Sequence, residues 1–117
     1  MPQAEPIEFV DDREAGRLLA VEAGEVVGFI AYFALAQAPH ALVAVHTIVE
    51  PGHEGRGIAG NLVRTFYGIA AGEGVPVVPL CPYAASWAVK HPDEAPVAPD
   101  EVVAAAKAQL AADSDLW

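Results

Sequence analysis

The chain has 117 residues, 54% of them apolar, a single cysteine and a formal net charge of −10. This length gives one domain whose core needs no covalent staples, and the apolar content argues against disorder. Sixteen acids against six bases argue against binding to nucleic acid or anionic membrane, which needs basic surface. No apolar run approaches a membrane span, and no basic segment precedes an apolar one at the N-terminus, so the expectation is a cytoplasmic protein. Cys81 alone makes no intrachain disulfide, which fits a reducing compartment. His40, His46, His53 and His91 lack the spacing of a zinc site, so no metal is expected.

Residues 1–6, with Pro2 and Pro6, read as a loose arm. Strands are predicted over Ile7–Asp11, Arg17–Glu22, Val26–Phe33 and Ala41–Val49. Gly24 between the second and third is a hairpin signal, and Ala38-Pro39-His40 is a turn, so the first half reads as an antiparallel meander.

The next segment is the most informative. The loop Glu50-Pro51-Gly52-His53-Glu54-Gly55-Arg56-Gly57 leads from the fourth strand into a helix from Ile58. Ile58, Leu62, Val63, Phe66, Ile69 and Ala70 form one apolar stripe at helical spacing, ended by Gly72 and Gly74. A helix start after glycines is an anion site, because its first N–H groups lack partners and carry the positive end of the macrodipole. A phosphorylated ligand is therefore expected in this loop. Arg56 and Arg64 flank it and would supply a local positive field.

Val75–Leu80 is predicted as a short strand parallel to Ala41–Val49, closing a βαβ unit. Pro76 and Pro79 imply that it is not fully paired. Tyr83–Lys90 reads as a short helix, Pro96–Pro99 as a linker, and Asp100–Ala112 as a final helix with Asp100 as N-cap. Val102, Val103, Ala106 and Leu110 would dock that helix. Leu116-Trp117 would dock on the same domain or on a neighbour, and the oligomeric state stays open.

The run Val49–Ala59 resembles the acyl-CoA motif of the GNAT acetyltransferase superfamily: Arg or Gln, two residues, Gly, one residue, then Gly or Ala, opening a helix after a strand. Gly57 and Ala59 fill the last two slots, and Glu54 stands in the Arg/Gln slot. With His46-Thr47, the run Pro79-Leu80-Cys81-Pro82-Tyr83 and His91-Pro92, the chain looks like the small YjdJ-like branch over roughly Ile7 to Glu94. The resemblance implies an α/β fold, a mixed sheet with an antiparallel meander followed by a βαβ unit whose fourth and fifth strands splay apart. It implies acetyl-CoA or CoA in that opening, with the pantetheine arm on Thr47, Ile48 and Val49. The pyrophosphate would lie on backbone amides of Glu54, Gly55, Arg56, Gly57, Ile58 and Ala59. Residues 1–95 would form the acyl-CoA-binding domain, with 96–117 a linker and helix appended to it.

The implied function is transfer of an acyl group from acyl-CoA to an amine on a small molecule or peptide. Such transfer needs a base for the acceptor, donors for the thioester carbonyl and an acid for the leaving thiolate. His46 is the preferred base, placed by strict alternation on one face with Leu42, Ala44 and Ile48. Cys81 is the preferred thiol participant, as acid or nucleophile, balanced against a role as a small buried hydrophobe. Tyr83 is the alternative acid. His91 suits helix capping, His53 simple exposure and Trp87 packing. The rival function is a non-catalytic acyl-CoA-binding or sensing module. A nucleotide-binding reading has little support, because the loop lacks the Gly-Lys-Ser/Thr ending of a P-loop.

Overall fold

The computed structural model describes residues 6–112. Its elements run β1 (Glu8–Asp12), β2 (Arg17–Glu22), β3 (Glu25–Ala34), β4 (Leu42–Val49), α1 (Ile58–Glu73), β5 (Val77–Pro79), α2 (Pro82–Lys90) and α3 (Asp100–Ala112). The strands form one sheet in the order β1-β2-β3-β4-β5, antiparallel except for the parallel pair β4 and β5. The mixed α/β architecture expected from the sequence is thus present. Most of the N-terminal arm and Leu116-Trp117 lie outside the described residues.

The β2–β3 hairpin turns on two residues, Ala23 at φ +52° and Gly24 at φ +81°. Two successive positive φ angles match the right-handed twist of the flanking strands. Helix α1 buries Ile58, Leu62, Val63, Phe66, Tyr67 and Ala70 against the sheet. Ile69 is only partly buried, and Gly72 lies inside the last turn; Gly74, at φ +71°, ends the helix. Gly28 lets α1 approach β3, since a Cβ there would come within 3.4 Å of Ile58 and Leu62, and also within 3.0 Å of the Ile48 carbonyl oxygen on β4.

Helices α1 and α2 cover one face of the sheet, and α3 covers only the β4–β5 end of the other, leaving the rest of that face open. With α1 and α2, Leu18, Ala20, Ile30, Tyr32 and Leu42 form the main core. On the other face Val102 and Ala106 of α3 bury beside Val43 and Val78. Gln109 ties α3 to the end of β3, accepting from the Ala36 N–H at 3.0 Å. Asp100 is the first helical residue rather than the cap, with the Pro99 carbonyl accepting from Val102 and Val103.

One irregularity sets the geometry of the site. Ala31 pairs with His46 but the next residue, Tyr32, pairs with Ala44, so Val45 is an extra residue in β4. Such a bulge reverses the alternation beyond it. Leu42 and Ala44 face α1, but after Val45 that face passes to Thr47 and Val49. His46 and Ile48 point to the opposite face, which corrects the shared face expected for Leu42, Ala44, His46 and Ile48.

Candidate functional site

β4 and β5 pair over only three positions, Leu42 with Val77, Val43 with Val78 and Ala44 with Pro79. The ladder ends where the Ala44 carbonyl accepts from both Leu80 (3.0 Å) and Cys81 (3.1 Å). Beyond it β4 runs on while the chain after β5 turns into α2. The Glu50 N–H donates to Val27 O at 2.8 Å, which fixes the phase of the antiparallel β3–β4 ladder. Ile48 is then bonded to β3, and Thr47 and Val49 turn their amide and carbonyl groups toward the opening.

A cleft of about 420 Å³ fills this opening, lined by Thr47, Val49, His53, Glu54, Gly55, Gly57, Ile58, Ala59, Gly60 and Tyr83. At its floor α1 starts with Gly57 at φ +79°, no side-chain cap and no acid in its first turn. Its leading N–H groups are thus left for an anion. Gly52 and Gly55 also take positive φ, +88° and +80°, a backbone path that glycine adopts without strain. His53 Nδ1 is sealed from solvent with no hydrogen-bond partner. The Nε2 of the same ring lies 3.7 Å from Glu22 Oε1. Unpaired strand amides and an uncapped helix start together fit a ligand with an amide-bearing arm and phosphate groups.

The expected positive field from arginine is not there. The Arg56 guanidinium turns away to a two-bond pair with the Glu22 carboxylate, Nη1 to Oε1 at 3.1 Å. That pair lowers the Glu22 carboxyl from its ordinary value. Arg64 pairs with Glu94 at 2.8 Å. Positive character in the cleft is therefore left to backbone dipoles. Glu54, in the slot where a cationic or amide side chain was the pattern, folds back and accepts from the Gly52 N–H at 2.9 Å.

Cys81 precedes α2 as its N-cap residue and is 4% exposed. Its thiol donates to the Thr47 hydroxyl at 3.3 Å. Tyr83, 44% exposed, lies in the cleft, and a Cβ on Gly60 would sit 3.6 Å from its hydroxyl. His91 ends α2, stacks on Trp87 at 4.1 Å and bonds the Trp87 carbonyl through Nδ1. Both act as the sequence suggested.

Of the residues assigned to the cofactor, seven line the cleft: Thr47, Val49, Glu54, Gly55, Gly57, Ile58 and Ala59. Ile48 and Arg56 do not. His53 is half-buried rather than simply exposed, and Gly60 lines the cleft unforeseen; a second small residue after Ala59 in the helix's first turn was its only signal. His46 lines a second cleft, of about 580 Å³, on the opposite face with Arg17, Phe29, Ala31 and Ile48. No cluster of three or more metal-binding side chains occurs among the described residues, and no helix there is long and apolar enough to cross a membrane.

A family model described as GCN5-related N-acetyl-transferase matches residues 17–97, well over half of the chain. The chain belongs to this family. Its fold is also similar to that of a ribosomal-protein-alanine N-acetyltransferase from Brucella melitensis biovar Abortus 2308, with a TM-score of 0.54 and 24% identity over 71% of this chain and 62% of that one. An aminoglycoside acetyltransferase from an uncultured soil metagenomic sample matches at 31% identity and a TM-score of 0.47, over 53% of this chain and 43% of that one. The chain thus spans less than two thirds of either structure. No curated protein matches it in sequence.

Proposed function

We propose that this GNAT-family chain binds acetyl-CoA, or a related acyl-CoA, and moves the acyl group to an amine. One observation carries the reading: the unpaired edge of β4 meets the uncapped start of α1 in a single cleft. Thr47 and Val49 would hold the pantetheine amides as an added strand does. The N–H groups from Gly55 to Gly60 would hold the pyrophosphate.

When bound, acetyl-CoA supplies an activated thioester, which an amine converts to an amide with release of the CoA thiol. A thioester along the free edge of β4 is open to both faces of the sheet. His46, from the open face, would take the proton lost by the amine. Cys81 or Tyr83, from the α1 face, would give a proton to the departing sulfur. Base and acid would thus act from opposite sides of one strand.

That separation also gives weight to the second reading, a module that binds acyl-CoA without turnover. We place the chain in the YjdJ-like branch on its His46-Thr47, Cys81 and His91-Pro92 residues, and in a reducing cytoplasmic setting on its single thiol. We also assign the segment from residue 96 to the same domain, as the burial of Val102 and Ala106 supports.

Calorimetric titration with acetyl-CoA, CoA and ATP tests the binding claim. Both CoA species should bind and ATP should not; equal binding of ATP, or none of any, removes the claim. CoA release across a panel of amines then separates transferase from binding module.

A further inference from the structure

The cleft on the open face of the sheet has a chemistry of its own. Arg17 pairs with Ala31 on β3, and Ala31 pairs with His46 on β4. Their backbones therefore form one row across the sheet, with the small Ala31 in the middle. Below them Phe29 and Ile48 form the next row, and the Arg17 guanidinium lies 4.4 Å from the centre of the Phe29 ring.

Arg17 differs from the other three arginines. Arg13 bonds Glu73 and lies near Asp11, Arg56 bonds Glu22, and Arg64 bonds Glu94. Arg17 has no ion-pair partner among the described residues. Sixteen acids against six bases make an unpaired arginine notable in this chain. The single carboxylate lining the cleft is Glu14, in the β1–β2 turn, and it does not bridge to Arg17. The cleft therefore offers a guanidinium over an aromatic floor, ready for a two-bond contact with a carboxylate.

The fold restricts the occupant. The Cα atoms of Arg17 and His46 lie two strand intervals apart, roughly 10 Å, and the Arg17 guanidinium reaches inward from its strand to lie over Phe29 on β3. The two polar groups thus approach each other across the small Ala31, and a ligand that meets both carries its carboxylate close to its amine, as an amino acid does.

We propose that the acceptor is a free amino acid, its amine presented at His46 and its carboxylate held by Arg17, with an apolar side chain against Ile48. The proposal rests on the transferase reading for the reaction, but the carboxylate subsite can be tested without turnover. Arg17 is a specificity-determining residue in this scheme and acts on no reacting bond. A diamine or a peptide N-terminus lacks the nearby carboxylate and would make no contact with Arg17.

The test uses the full chain with CoA present. N-acetyl-leucine and N-acetyl-leucinamide are titrated while backbone amide shifts are followed. The acid should bind at least tenfold more tightly than the amide, with shifts at Arg17, Ala31 and His46. Arg17→Gln should abolish the difference, and Arg17→Lys should restore part of it. Equal binding of the two ligands, binding of neither, or a preference that survives Arg17→Gln would overturn the inference. In parallel, leucine should outrun leucinamide and putrescine in CoA release by at least tenfold in kcat/KM. If the acid binds as stated but no amine gives CoA release, the subsite stands and the transferase reading falls.

Discussion

The thiol of Cys81 donates a hydrogen bond to the hydroxyl of Thr47 at 3.3 Å, linking α2 to β4 where the β4–β5 ladder has ended. The two residues are 34 positions apart in sequence. The contact sets a proton-bearing sulfur beside a strand residue whose own amide and carbonyl face the cleft. In the proposed reaction this is where the CoA sulfur would lie.

Cys81→Ala should therefore separate binding from chemistry. Affinity for CoA should stay within about threefold, because the phosphate contacts lie at the other end of the cleft. CoA release should fall by about 100-fold, the usual scale for loss of one proton donor. Intact mass after incubation with acetyl-CoA reports whether an acetyl group had rested on the sulfur. Unchanged release would take Cys81 out of the reaction and leave the acid role to Tyr83.

Gly28→Ala should disturb both fold and cleft. The added methyl would sit 3.0 Å from the Ile48 carbonyl oxygen and 3.4 Å from Ile58 Cγ2 and Leu62 Cδ1. The Ile48 oxygen belongs to the β4 backbone and cannot swing aside, so the β3–β4 ladder must shift, and α1 must give at Ile58 and Leu62. The cost should be about 1–3 kcal/mol, as for other overpacked sites. Ile58 opens α1, so CoA affinity should drop too. A urea midpoint equal to that of the parent chain would show that α1 does not pack down on β3 as described.

How far the sequence carried the fold depends on what each element leaves in its letters. The apolar stripe of α1 and the Gly24 turn are local patterns, and both are legible. The bulge at Val45 is not. It lies in the run Ala41–Val45, where every residue is apolar and alternation leaves no mark. One extra residue there moved His46 to the open face and brought Thr47 to the cleft. The Arg56–Glu22 pair was equally hidden, since it joins residues 34 positions apart. The glycine loop was legible as an anion site because its chemistry is in the backbone, which needs only glycines before a helix.

Ala23→Asn should stabilise the chain. Ala23 is exposed and holds φ +52°, a conformation that costs an alanine and suits asparagine. The expected gain is about 0.5–1 kcal/mol, read as a higher urea midpoint at unchanged slope. A loss of stability would mean that the turn is not the two-residue type described.

Stability should also decline in alkali. Burial pushes the Tyr32 hydroxyl up to about 12, with the Asp11 carboxylate adding to the effect, and burial alone does the same for Tyr67. Unfolded tyrosine ionises near 10. Between about pH 10 and 12 the folded chain thus keeps protons that the unfolded chain has lost. Its advantage is complete below that window and is lost as pH rises through it. Urea midpoints from pH 8 to 11.5 should stay level and then fall. Tyr67→Phe should soften the fall, and an unchanged profile in that variant would contradict the cause given.

The most direct test of the account is amide shift mapping of the labelled protein during titration with CoA. Thr47, Val49, Gly55, Gly57, Ile58 and Ala59 should shift together and saturate at one affinity, while Arg17 and Ala31 on the open face move little. Shifts confined to the open face, or none at saturating CoA, would contradict the placement of acyl-CoA between β4 and β5.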